Sequence, residues 1–174
     1  MAGAALTAAQ WNASVRDNLL ETAPGVATTA GGYFVADGSN SIAERQIVAD
    51  SVLVTETTTS TSYTDLDTFG PSVTVETGAQ ALVIVHGQAQ NTDSTGSARM
   101  SYETSGATSQ GPADNRSVGV FGGAGVSITT STLAMHGAGA GLDLTPGSHT
   151  FTAKYSVSGG TGEFRHRRLI VIPF

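Results

Sequence analysis

Apolar and polar positions recur with two different periods along the chain. Between residues 6 and 21 the spacing is helical: Ala8, Trp11, Val15 and Leu19 share one face, and Asp17, Asn18 and Glu21 lie off it. Thr7 and Gln10 occupy the two positions of a capping box, with Leu6 and Trp11 at the flanking staple positions. Pro24 disfavours helical backbone at Ala23 and ends the segment at Thr22-Ala23-Pro24-Gly25. A helix of about 14 residues is marginal alone in water, so its stripe needs a surface to bury against.

Past a small, Gly-containing connector the period changes to two. Tyr33–Ala36 and Ser41–Ala49 read as short strands around the turn signal Asp37-Gly38-Ser39-Asn40. Eight further strands are predicted near 46–57, 72–77, 80–90, 98–104, 117–121, 125–136, 148–157 and 163–172, with Gly, Pro, Asn, Asp and Ser clusters between them. Val and Thr enrichment favours strands over helices. The fold class expected is all-β: a jelly-roll-like β-sandwich head over 46–174, a small linker hairpin over 33–45, and a helical arm with its connector over 1–32.

Two of these strands break the rule of apolar inside and polar outside. In the strand from Gln80, Ala81, Val83 and Val85 form one face, yet the other begins with Leu82 and Ile84 before His86 and Gln88. In the last strand Leu169, Ile170, Val171 and Ile172 are apolar on both faces. A second face of this kind needs a cover, either the N-terminal arm or a neighbouring copy of the chain. Leu82, Ile84, His86, Leu169, Ile170 and Ile172 are therefore the expected subunit interface.

Composition narrows the class. Only 13% of residues are charged, Gly numbers 22, and the net charge is −6. Hydroxyls and amides carry most of the polarity, as in all-β particle-surface proteins. The charge gives no footprint for nucleic acid or anionic membrane. With no cysteine, disulfides and thiolate metal sites are excluded. The first residues lack a basic start and a continuous apolar run, so no signal peptide is expected. The apolar runs are too short for a helical membrane span.

Chemistry is sparse. There is no Gly-x-Ser-x-Gly elbow, no His-Glu-x-x-His and no phosphate-binding loop. Asp65 and Asp67 share a side of an extended segment but read as a turn-capping pair, two ligands being too few for calcium. His86, His136, His149 and His166 are single histidines on predicted strands, expected as hydrogen-bonded interface groups rather than metal ligands. Arg165-His166-Arg167-Arg168 is a basic cluster read as a strand end or as pairing across subunits, with Arg99 and Glu103 sharing a face in the same network. Tyr33, Tyr63, Tyr102 and Tyr155 are scattered and read as core. No cofactor, metal or catalytic residue is expected.

The residues of the arm carry a resemblance. Leu6-Thr7-Ala8-Ala9-Gln10-Trp11-Asn12, followed by Val15 through Pro24, resembles the N-terminal segment of small virion proteins of tailed phages infecting actinobacteria, of the decoration, head-fibre and minor tail type. Thr58–Thr68 with Gly70-Pro71, Gly78–Val85, Ser105-Gly106-Ala107, Leu144-Thr145-Pro146-Gly147 and Arg168–Pro173 extend it over nearly the whole chain. The resemblance implies a jelly-roll-like head, a trimer of the tumour-necrosis-factor type, and docking through the arm.

The function expected is thus a non-enzymatic virion structural protein. Leu6, Trp11, Val15 and Leu19 anchor a homotrimer to the phage major capsid protein or to tail proteins, and assembly takes place in the bacterial host cytoplasm. Arg99, Glu103, Arg165 and Arg167 form ion pairs between chains. The alternative is a tail-tip module that binds a host receptor or cell-surface carbohydrate. A depolymerase would need a carboxylate pair in a cleft, and the few carboxylates fall mostly near turns.

Overall fold

The structure is a computed structural model that describes residues 5, 7–20, 27–122, 124–137 and 142–174. The staple position Leu6, the Thr22–Gly25 stop signal and residues 138–141 of the Gly-rich loop lie outside this set. The chain divides into two compact units, Met1–Gln46 and Ile47–Phe174.

In the first unit, α1 spans Ala8–Leu20. Its capping box forms as the sequence predicts: the Thr7 amide donates to Gln10 Oε1 at 2.9 Å, and the Gln10 amide donates to Thr7 Oγ1 at 3.2 Å. The two donations satisfy N–H groups that have no partner inside the helix. The hairpin pairs β1 (Tyr33–Gly38) with β2 (Ser41–Arg45) and turns through Asn40 at φ 58°. Glu44 ties the preceding connector to it, accepting from the Thr28 amide and hydroxyl and from the Thr29 amide.

The second unit is a two-sheet antiparallel sandwich. One sheet runs β3 (Val48–Val52), β11 (Gly162–Pro173), β6 (Ala81–Asn91), β9 (Ile128–His136), with β4 (Glu56–Thr58) also paired to β11. The other runs β5 (Ser72–Thr77), β10 (Gly147–Val157), β7 (Ser97–Gly106), β8 (Val118–Phe121). With β4 set aside, the eight head strands stack in the orders 1-8-3-6 and 2-7-4-5, which is jelly-roll connectivity. The segment predicted as one strand over 46–57 is two, β3 and β4, laid along different stretches of β11.

Alternation builds the core. On β6 every odd residue from Ala81 to Asn91 is buried and every even one is part-exposed. Val83, Val85, Leu169 and Val171 meet Met100, Tyr102, Phe151 and Tyr155 from the facing sheet.

Candidate assembly face of the β3–β11–β6–β9 sheet

Strand register decides which side chains reach the outer face. Ile84 stands opposite Ile170 on one side and Leu133 on the other, and Ile170 stands opposite Ala49. One row along, Leu82 lies between Ile172 and Met135. These two adjacent rows make an apolar surface across four strands, with Leu133 63% exposed and Met135 43% exposed. The next row, Ser51–Arg168–His86–Ser131, is polar, and His86 Nδ1 pairs with Ser131 Oγ at 2.7 Å. Ala49, Ser51, Arg168 and Ile170 also line an open depression of about 350 Å³.

Of the residues expected at a subunit interface, Leu82, Ile84, His86, Ile170 and Ile172 share this outer face, and Leu169 does not. Leu169 is fully buried in the sandwich. The cause is a β-bulge. Arg165 faces Gln88 and Arg168 faces His86, so two residues of β11 oppose the single residue Gly87. His166 takes φ 51° to make room. Inside and outside exchange there: Phe164 points in, and after the bulge Arg167, Leu169 and Val171 point in. Leu133 and Met135 were missed from sequence. Their signal is the alternation Leu133-Ala134-Met135-His136 at the end of a Thr-rich strand.

The four residues expected in ion pairs between chains find partners within the chain. Arg99 Nη1 lies 2.9 Å from Asp114, Glu103 lies 3.1 Å from Lys154, and Arg165 lies 3.7 Å from Glu163. Arg167 is buried, reaches Glu56 at 2.6 Å and lies over the Tyr155 ring at 5.3 Å. Glu163 lies two residues from Arg165 on the same strand, whereas neighbouring strands and the segment at Asp114 supply the other three counter-charges, which spacing along one strand does not reveal. Burial raises the Glu56 carboxyl. Hydrogen bonds from Thr68 and the Arg167 guanidinium outweigh that and hold it below the ordinary carboxylate range.

Two histidines sit inside rather than at an interface. His136 Nδ1 faces the Leu142 carbonyl at 3.2 Å and must donate, so Nε2 accepts from the Tyr102 hydroxyl at 2.7 Å. Burial first, then the Arg116 charge, push its pKa down to about 4. Arg116 is itself buried, 5.0 Å over the Tyr102 ring, and donates to Gln110 Oε1 and the Gly111 carbonyl. His149 Nδ1 lies 3.0 Å from both Thr77 Oγ1 and the Gly147 carbonyl. Among the described residues no group of three or more His, Asp or Glu is placed to hold a metal ion, and no helix is long and apolar enough to cross a membrane. Asp65, read from sequence with Asp67 as a turn-capping pair, accepts from Lys154 Nζ at 2.8 Å.

On the arm, Trp11 (61%), Val15 (43%) and Leu19 (62%) are exposed together. A 13-residue helix is marginal by itself in water, so burying this stripe would stabilise it.

No family model matches the chain, and no curated protein matches it. Among solved structures it is similar to a chain of "Structure of infectious bursal disease virus Gx strain", at TM-score 0.41 and 9% identity. That likeness covers 75% of this chain and 38% of the other.

Proposed function

We propose that this protein is a non-enzymatic virion structural component, a homotrimer that decorates a phage capsid or tail and is held there by its N-terminal arm. The observation that carries the reading is the pair of apolar rows, Ile172–Leu82–Met135 and Ala49–Ile170–Ile84–Leu133, on the outer face of a sheet whose inner face already packs a core. Burying each exposed large side chain there is worth about 1.5–3 kcal/mol. Further copies of the chain can supply the cover, because in a closed threefold ring each subunit packs against both neighbours around the axis. The exposed Trp11–Val15–Leu19 stripe suits a helix-in-groove contact with a capsid or tail protein. The resemblance of the arm to actinobacterial-phage virion proteins supports the same assignment.

Light scattering on the full chain tests the assembly. Three chains of 17.6 kDa give about 53 kDa. Leu133→Lys combined with Ile84→Lys is expected to return 17.6 kDa species with an unchanged far-ultraviolet spectrum. A monomeric unaltered chain would remove the trimer. Immunogold labelling of purified phage particles tests the location, and absence of the protein from particles would remove the virion reading.

A further inference from the structure

The outer face of the β5–β10–β7–β8 sheet is of another kind. Its floor is hydroxyl-rich: Ser72 pairs with Thr152 at 3.0 Å, and Thr74 with Thr150 at 2.8 Å. Two phenylalanines stand out of it, Phe121 at 66% exposure on β8 and Phe69 at 60% in the loop before β5.

Each ring is accompanied by a fixed cation. The Arg99 guanidinium lies 5.2 Å from the Phe121 centroid and is held by Asp114, which also accepts from the Tyr63 hydroxyl at 2.8 Å. The Lys154 ammonium lies 5.9 Å from the Phe69 centroid, held by Asp65 at 2.8 Å and Glu103 at 3.1 Å. Its side chain is only 12% exposed. Arg99 and Glu103 are successive outward positions but one on β7, and Lys154 pairs with Ser101 between them. From β8 to β10 is about 10 Å, two strand spacings, and Phe69 adjoins β10.

This combination fits a sugar better than a protein surface. An exposed ring stacks on the apolar C–H face of a pyranose. Carboxylates and cations locked by each other offer acceptors and donors to vicinal hydroxyls at little cost in side-chain entropy. Two cations against three carboxylates leave no surplus positive charge for an acidic sugar or a phosphate.

We propose that this face binds a neutral oligosaccharide, with pyranose rings stacked on Phe121 and Phe69 and hydroxyls bonded to the Arg99–Asp114 and Lys154–Glu103 pairs. The site lies on the sheet opposite the apolar rows and does not depend on the assembly proposed above.

The test is an array of neutral and uronic-acid oligosaccharides probed with the full-length protein, followed by calorimetric titration of the best neutral binder. Phe121→Ala and Phe69→Ala are each expected to weaken binding about tenfold and the double variant to abolish it, circular dichroism remaining unchanged. Leu133→Lys, on the other sheet, is expected to leave the affinity per chain unchanged. Retention of no neutral oligosaccharide, retention of acidic ones alone, or a double variant that binds like the unaltered chain would each overturn the proposal.

Discussion

Tyr102 donates its hydroxyl to Nε2 of His136 at 2.7 Å inside the sandwich, and this bond requires the imidazole to be neutral. In the unfolded chain His136 titrates near the ordinary 6.5, and in the folded chain at about 4. A folded pKa below the unfolded one means that protons favour the unfolded state. The stability is fully present above pH 6.5 and is lost as pH falls towards 4. The difference is worth about 3 kcal/mol. Urea unfolding at pH 7 and pH 4 is expected to show this loss in the unaltered chain. His136→Gln keeps an acceptor for Tyr102 and a donor for Leu142, and its acid-linked loss should be smaller by about that amount.

Arg167 and Glu56 make a buried ion pair that fastens β4 to β11. Glu56→Ala leaves a buried guanidinium without its carboxylate and is expected to destabilise by about 3–5 kcal/mol. Arg167→Met with Glu56→Leu removes both charges and should recover most of that loss. Denaturant midpoints of the singles and the double decide it.

The bulge makes its own prediction. His166 holds φ 51° with an exposed side chain. His166→Val places a β-branched residue in left-handed backbone and should cost about 1–2 kcal/mol. His166→Gly should be close to neutral, since relief at positive φ offsets the extra freedom of Gly in the unfolded chain. Thermal unfolding of the pair separates a backbone effect from loss of the imidazole.

Thr7→Ala removes one half of the capping box. A peptide covering residues 5–20 is expected to lose about 1 kcal/mol of helix stability, read as ellipticity at 222 nm. Thr7→Ser should restore most of it.

How far the sequence carries can be judged from particular residues. The capping box, the hairpin turn and most strands were legible because each is written locally, in Thr7 and Gln10, in Asp37-Gly38-Ser39-Asn40, and in the alternation of β6 and β10. The apolar second face at Leu82, Ile84, Ile170 and Ile172 was legible for the same reason. What failed depended on register between distant strands. Leu169 was assigned outward because His166, unlike Gly or Asn, gives no sign of positive φ. The partners Asp114 of Arg99 and Glu56 of Arg167 lie 15 and 111 residues away, beyond any local pattern. The exposed Phe121 and Phe69 became a site only when β7 and β10 placed Arg99 and Lys154 beside them.

The extra residue in β11 has a wider consequence for how this strand tolerates change. Leu169 and Val171 differ little in oiliness from Ile170 and Ile172, so nothing in those four side chains selects the pair that faces inward. The selection is made upstream, by parity. Straightening the bulge with all its residues kept would turn the last stretch of β11 over like a ribbon given a half-turn, whereas deleting His166 removes the extra residue and leaves Arg167, Leu169 and Val171 facing in. In such a turned-over strand the aliphatics would exchange places at modest cost, while Arg167 would be thrown out to solvent and Glu56 left behind alone. A one-residue insertion or deletion between Arg167 and Leu169 should therefore be far more damaging than substitutions among residues 169–172, because the backbone there acts as a reading frame for the sheet.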